Sequence, residues 1–152
     1  MSVRPARADE AEAISALAMR AKAHWGYDRA FLEACRPELT WTPEQIDQQD
    51  VLVHEEGGLL LGATARGGTT PHGGLWAVFV DSGHHGRGIG RALAEAVLER
   101  AARAGMRTVT IAADPHAEGF YRALGAVLVG SAASGSIPGR RLPLLRLDLD
   151  ER

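Results

Sequence analysis

Val78-Phe79-Val80-Asp81-Ser82-Gly83-His84-His85-Gly86-Arg87-Gly88-Ile89-Gly90-Arg91 is a strand end that runs into a glycine-rich turn and from there into a helix. Glycine lets a backbone approach a ligand closely. The first turn of a helix presents N–H groups without internal partners, with the positive end of the helix dipole behind them. Such a turn is an anion cradle, and a diphosphate is its natural guest. Arg87 and Arg91 add positive charge to the same loop.

Downstream, Ile89, Leu93, Ala96, Val97 and Ala101 recur at helical spacing, and Gly105 suits the end of that helix. Residues 108–113 read as the next strand. Asp114-Pro115, a side-chain cap and a first-turn proline, then opens a helix with Ala117, Phe120, Tyr121 and Leu124 on one face. Residues 127–131 and 142–149 form a hairpin around a Ser/Gly/Pro loop over 132–140. Upstream, residues 75–80 read as the central strand, preceded by a polar loop over 67–74. Before that loop lies a hairpin of 51–56 and 59–66 turning at Gly57-Gly58.

The remaining third is helical. Ile14, Leu17, Ala18 and Ala21 mark a first helix, and residues 28–36, with Phe31, Leu32 and Cys35, mark a second that Pro37 ends. Thr42-Pro43-Glu44 starts a short third piece, and residues 3–5 give a first strand. The core order β-α-α-β-β-β-α-β-α-β-β describes an α/β fold, a mixed sheet with helices on both faces, as one domain over 1–152.

Composition narrows the function classes. A length of 152 residues with 45% hydrophobic and 24% charged residues fits one ordinary globular domain. The net charge of −2 gives no general excess of positive charge for holding nucleic acid. No apolar run approaches the ~20 residues of a membrane span, and the acidic first residues do not resemble a signal peptide. Cys35 is the single cysteine, which excludes an internal disulfide and points to a reducing, cytoplasmic setting. His84 and His85 are adjacent and have no partner at ligand spacing, so no metal site is expected.

Three phosphate-loop patterns compete for the central stretch. The dinucleotide fingerprint fails, because Arg91 or Leu93 stands where the third glycine belongs. The nucleoside-triphosphatase loop fails because no Gly-Lys-Ser/Thr follows. What matches is Gln/Arg-x-x-Gly-x-Gly/Ala, with Gly88 and Gly90 in place and His85 at the first position. With these residues the chain resembles the GCN5-related N-acetyltransferases, or GNAT family. A second segment supports the resemblance: Ala117, Tyr121 and Gly125 fall on Asn-x-x-Ala-x-x-x-Tyr-x-x-x-Gly-Phe, with Asp114 replacing the Asn and Ala126 the Phe.

The resemblance implies acetyl-CoA as donor and a primary amine, on a small molecule or a protein, as acceptor. It implies that the diphosphate of coenzyme A sits on His85, Gly86, Arg87, Gly88, Ile89, Gly90 and Arg91. It further implies that the pantetheine arm pairs with Val78, Phe79 and Val80 in a gap between the fourth and fifth strands, and that Asp114 stands at a cofactor contact. Attack of an amine on a thioester needs a neutral nucleophile, stabilisation of the oxyanion and a proton for the thiolate. Tyr121 is the acid that the resemblance supplies.

No carboxylate stands at Leu75, Trp76, Ala77, Val109, Thr110 or Ile111, where many members carry a base, which leaves His24, Glu33, His54, His72, His116 or a water relay. His24, Trp25 and Tyr27, which interrupt the first two helices, are candidates for the acceptor pocket. The competing expectation is a catalytically silent CoA-binding sensor of the same fold, and a longer acyl donor is a third. Because members of this fold often pair, the segment 134–140 is a candidate homodimer contact.

Overall fold

A computed structural model describes residues 2–149. Seven strands form one sheet in the order β1-β2-β3-β4-β5-β7-β6. They are β1 (Ser2–Pro5), β2 (Asp50–Glu56), β3 (Leu59–Thr69), β4 (His72–Val80), β5 (Thr108–Ala112), β6 (Val127–Ala133) and β7 (Arg141–Asp148). Only β4 and β5 pair parallel; every other neighbouring pair is antiparallel. The helices are α1 (Ala11–Ala23), α2 (Arg29–Leu39), α3 (Pro43–Gln48), α4 (Ile89–Arg103) and α5 (Glu118–Ala123).

The period-two alternation of β2 divides the core between the two faces. Val51 and Val53 pack with Ile14 and Leu17 of α1, whereas Leu52 packs with Leu93, Val97 and Leu98 of α4. The helices therefore cover both faces, as the sequence order requires.

Two expectations are corrected. Pro37 does not end the second helix: α2 runs to Leu39, because Leu39 is buried one turn beyond Cys35 on the same face. The proline forfeits one backbone hydrogen bond near the helix end, where few remain to be made. Residues 67–74 are not a loop either. β3 and β4 continue through Gly67 with Gly74 and Thr69 with His72, and the chain turns at a cis Thr70-Pro71 peptide. Glycine pairs at these positions hide the strand signal, since they carry no side chain to alternate.

The sheet opens in its middle. β4 pairs with β5 at His72 with Thr108, Gly73 with Val109 and Gly74 with Thr110, and no further. On its other side, Ala63 stands opposite Phe79 and Ala65 opposite Trp76, so Ala77 and Val78 together face Thr64. This bulge adds a residue to β4 and bends it away from β5. A cleft thus forms from Leu75 to Val80.

Candidate functional site

The cleft is entered from two sides. A groove of about 280 Å³ is lined by Val78, Val80, the loop from His84 to Gly90 (Arg87 excepted), Arg91, Trp25, His116 and Phe120. A cavity of about 150 Å³ on the other side is lined by Lys22, Trp25, Glu38, Trp76, Phe79, Asp114, Tyr121 and Arg140, among others. Trp25, Val78, Val80, His85 and Ala117 border both. The two spaces meet along the bent edge of β4.

The loop end of the groove is made of backbone. No hydrogen bond within the described residues is made by the main-chain N–H of any residue from His85 to Arg91; the ladder resumes where Ala92 donates to Gly88. Gly86 and Gly88 have φ of 81° and 82°, a left-handed conformation that side chains rarely adopt. Seven consecutive donors at the start of a fifteen-residue helix suit an anion as large as a diphosphate. The side chains of the loop divide. Arg91 borders the groove and pairs with Glu95, whereas Arg87 turns to Glu56 at 2.9 Å and to His84 at 2.9 Å. Ile89 is buried beneath the loop.

The cavity is made of side chains from separated segments. Asp114 caps the turn Pro115–Ala117 through the His116 N–H and pairs with Lys22 Nζ at 2.7 Å. It also accepts from Tyr27 Oη at 2.8 Å. Burial pushes its carboxyl up, but the ammonium of Lys22 and the surrounding donors outweigh this and bring it down to about 2. Asp114 is therefore a fixed anion that borders the cavity, not the groove. Tyr27 receives a hydrogen bond from Arg140 at 2.8 Å, and burial with the neighbouring Asp114 raises its phenol to about 12.

Tyr121 stands where the spaces meet. It is 1% exposed, and its Oη accepts the Val78 N–H at 2.9 Å, so the bulged strand points its free amide at the phenol oxygen. Accepting leaves the hydroxyl proton free to be donated. Burial raises the phenol above its usual value, which keeps that proton in place at neutral pH. Phe79 packs into the α1 and α2 side of the core and borders the cavity.

The aromatic segment between α1 and α2 roofs the junction. His24 stacks on His85 at 4.2 Å, and Trp25 stacks on His116 at 5.1 Å. Burial, with the neighbouring His24, lowers the His85 imidazole, so it is neutral at physiological pH. The segment 134–140, expected to be a dimer contact, packs on α2, where Ser136 donates to Glu38.

Of the bases considered from the sequence, none borders the cavity. Glu33 pairs with Arg36, His72 bonds Thr108 at the far end of β4, and His54 is buried in β2. His116 borders the groove. The carboxylate that does line the cavity with an open side is Glu38, which the sequence reading missed. The missed signal was its spacing: Glu38 lies seven residues from Phe31 and three from Cys35, on the same helical face once α2 passes Pro37. Among the described residues no group of three or more His, Cys, Asp or Glu is placed to hold a metal ion, and no helix is long and apolar enough to cross a membrane.

Residues 18–126 match the profile of the acetyltransferase (GNAT) family. Among curated proteins none matches in sequence. The fold is similar to that of the PaiA N-acetyltransferase of Thermoplasma acidophilum in complex with coenzyme A, at 13% identity and a TM-score of 0.79, covering 97% of this chain and 98% of that one. It is also similar to YncA, a putative acetyltransferase of Salmonella typhimurium with acetyl-CoA, at 23% identity and a TM-score of 0.71, covering 100% and 95%. The ribosomal-protein-S18-alanine N-acetyltransferase of Escherichia coli shares 15% identity with a TM-score of 0.72, covering 97% and 93%. At these identities the likeness is one of fold.

Proposed function

The chain belongs to the acetyltransferase (GNAT) family, and from that premise we propose that it moves the acetyl group of acetyl-CoA onto a primary amine, of a small molecule or a protein, held in the cavity beside Tyr121. The observation that carries this reading is the junction itself. A strand edge freed by a bulge has unpaired loop amides at one end and a buried, protonated phenol beside it.

In this reading the amides of His85 to Arg91, with the α4 dipole behind them, hold the diphosphate, and the edge of Val78 to Val80 receives the pantetheine arm. Bound there, the donor supplies an activated acyl carbon. The Val78 N–H then serves the carbonyl oxygen as charge develops on it. Tyr121 holds a proton at Oη for the departing sulfur, its raised pKa keeping it in the acid form. Asp114 cannot take the ammonium proton, since its carboxyl is held at about 2. That role goes to Glu38, directly or through one water. The single reduced cysteine fits a cytoplasmic setting.

Calorimetry with acetyl-CoA tests the groove, and release of free thiol with a panel of amines tests the transfer. Undetectable binding at millimolar ligand would overturn the donor assignment. Tight binding without thiol release for any amine would make the chain a sensor of coenzyme A instead.

A further inference from the structure

The cavity carries a cation, Arg140, that no anion among the described residues meets at hydrogen-bond distance. The charge of Asp114 is met by Lys22 at 2.7 Å. Arg140 stands 3.9 Å from the same carboxylate, beyond hydrogen-bond reach, and its Nη2 donates instead to the neutral phenol of Tyr27. A guanidinium has five N–H groups; the others make no hydrogen bond within the described residues. The side chain is nonetheless only 19% exposed, with its guanidinium carbon 5.3 Å and 4.8 Å from the ring centroids of Tyr27 and Phe31. Stacking on aromatic faces fixes the plane of the fork and leaves its donors aimed past the rings. Lys22, its side chain 14% exposed, likewise uses one of the three donors of Nζ.

A mostly buried guanidinium with unanswered donors is costly unless an anion completes it. The bidentate fork of Arg140 beside an ammonium suits a carboxylate. The other end of the cavity has the opposite sign. Glu38 lies seven residues beyond Phe31 on α2, about 10 Å along the helix axis at ~1.5 Å per residue, with the hydroxyl of Ser136 on its carboxylate. The cavity is thus dipolar, and its volume of about 150 Å³ suits a compact guest.

We propose that the acceptor is a small amino acid, its carboxylate seated on Arg140 and Lys22 and its amine turned toward Glu38 and Tyr121. This rests on the acetyl-transfer reading and goes beyond it, because it selects a zwitterion over a polyamine or a protein chain. Arg140 is a specificity determinant and takes no part in moving protons.

The test is a panel of amino acids with increasing separation of amine and carboxylate, each compared with its amide, by thiol release. Binding of each amino acid to CoA-loaded protein is measured in parallel by calorimetry, so the carboxylate seat is read without turnover. Each accepted amino acid is expected to show a KM at least about tenfold below that of its amide, as loss of a charge-assisted pair implies. In Arg140→Gln that ratio falls to within about twofold, while the acetyl-CoA affinity is unchanged, and Arg140→Lys restores part of the preference. Amides or simple amines used as well as the amino acids would overturn the inference, as would amino acids that neither bind nor react. A preference that survives in Arg140→Gln would overturn it too. None of these outcomes touches the donor assignment, which falls only if acetyl-CoA itself does not bind.

Discussion

The groove and the cavity that meet along β4 are built from different materials. The anion-binding end of the groove is backbone: consecutive amides, positive-φ glycines and a helix start, all within residues 78–91. The cavity is side chains drawn from α1, α2, the end of β5, α5 and the loop between β6 and β7. A backbone site can be written in one short motif, because the spacing of glycines fixes its shape. A side-chain site depends on how distant segments pack, so it can diverge while the groove stays the same. The first suits a donor common to a family, the second an acceptor particular to one member.

Tyr121 lines the cavity and reaches the Val78 N–H on the edge that borders both spaces, and its replacement gives the largest expected effect. In Tyr121→Phe the proposed acid is lost, and kcat should fall by about a hundredfold, within the range for general acids. Acetyl-CoA affinity should stay within about twofold of the parent, since the loop amides are untouched. Stability should fall modestly, because the Val78 N–H loses the oxygen that it reaches in the free protein. Unchanged turnover would remove Tyr121 from the mechanism and dissolve the link between the two spaces.

The same contrast explains what could be read from the sequence. Gly86, Gly88 and Gly90, the Asp114-Pro115 cap and the apolar stripe of α4 announce the groove and most of the element order, because each acts over a few residues. Arg140 and Lys22 carry no local mark. They meet only because the loop after β6 folds over α2, and a loop rich in Ser, Gly and Pro has no periodicity to predict its course. Glu38 was hidden behind Pro37, read as a helix end when tertiary burial of Leu39 carries the helix onward. The glycine pairs of β3 and β4 were hidden by the reverse effect, strand structure without strand-forming side chains.

Gly88→Val breaks the groove alone. Its φ of 82° is strained for any side chain and most of all for a β-branched one, although a Cβ there would meet nothing within 4 Å. Strain of roughly 1–3 kcal/mol forces the loop to relax, and acetyl-CoA affinity should weaken by about thirtyfold. Amino acid binding, measured by calorimetry on the free protein, should change far less. Equal losses for both ligands would mean that the two spaces are not independent.

Acid acts on the cavity through Asp114, whereas the loop amides themselves do not titrate. Asp114 has its folded pKa depressed from 3.8 to about 2, so its contribution is present above pH 4 and is lost as pH falls toward 2. A shift of this size corresponds to roughly 2 kcal/mol. Asp114→Asn should flatten that part of the acid denaturation profile. A variant that keeps the full acid dependence of the parent would show that the stability resides elsewhere.

The smallest expected effect comes from the core beneath the groove. His54 is 0% exposed, and both ring nitrogens lack a hydrogen bond among the described residues. It shares a face of β2 with Leu52, which packs on α4, and with Glu56, the carboxylate that braces Arg87 of the loop. Burial lowers its pKa below the ordinary 6.5; Glu56 opposes the shift and Arg87 assists it. The folded protein therefore keeps the ring neutral while the unfolded chain takes up a proton below pH 6.5. Stability is full above that value and declines as pH falls beneath it. His54→Leu removes both the unpaired polar atoms and the titration, and should stabilise the protein by about 1 kcal/mol at pH 7.5 and by more at pH 5.5. The melting temperature should therefore fall more steeply from pH 7.5 to 5.5 in the parent than in His54→Leu, whereas the contribution of Asp114 is untouched until near pH 4. The same pH dependence of stability in the parent and the variant, or a less stable leucine variant, would show that the histidine is no burden to the face that carries the groove.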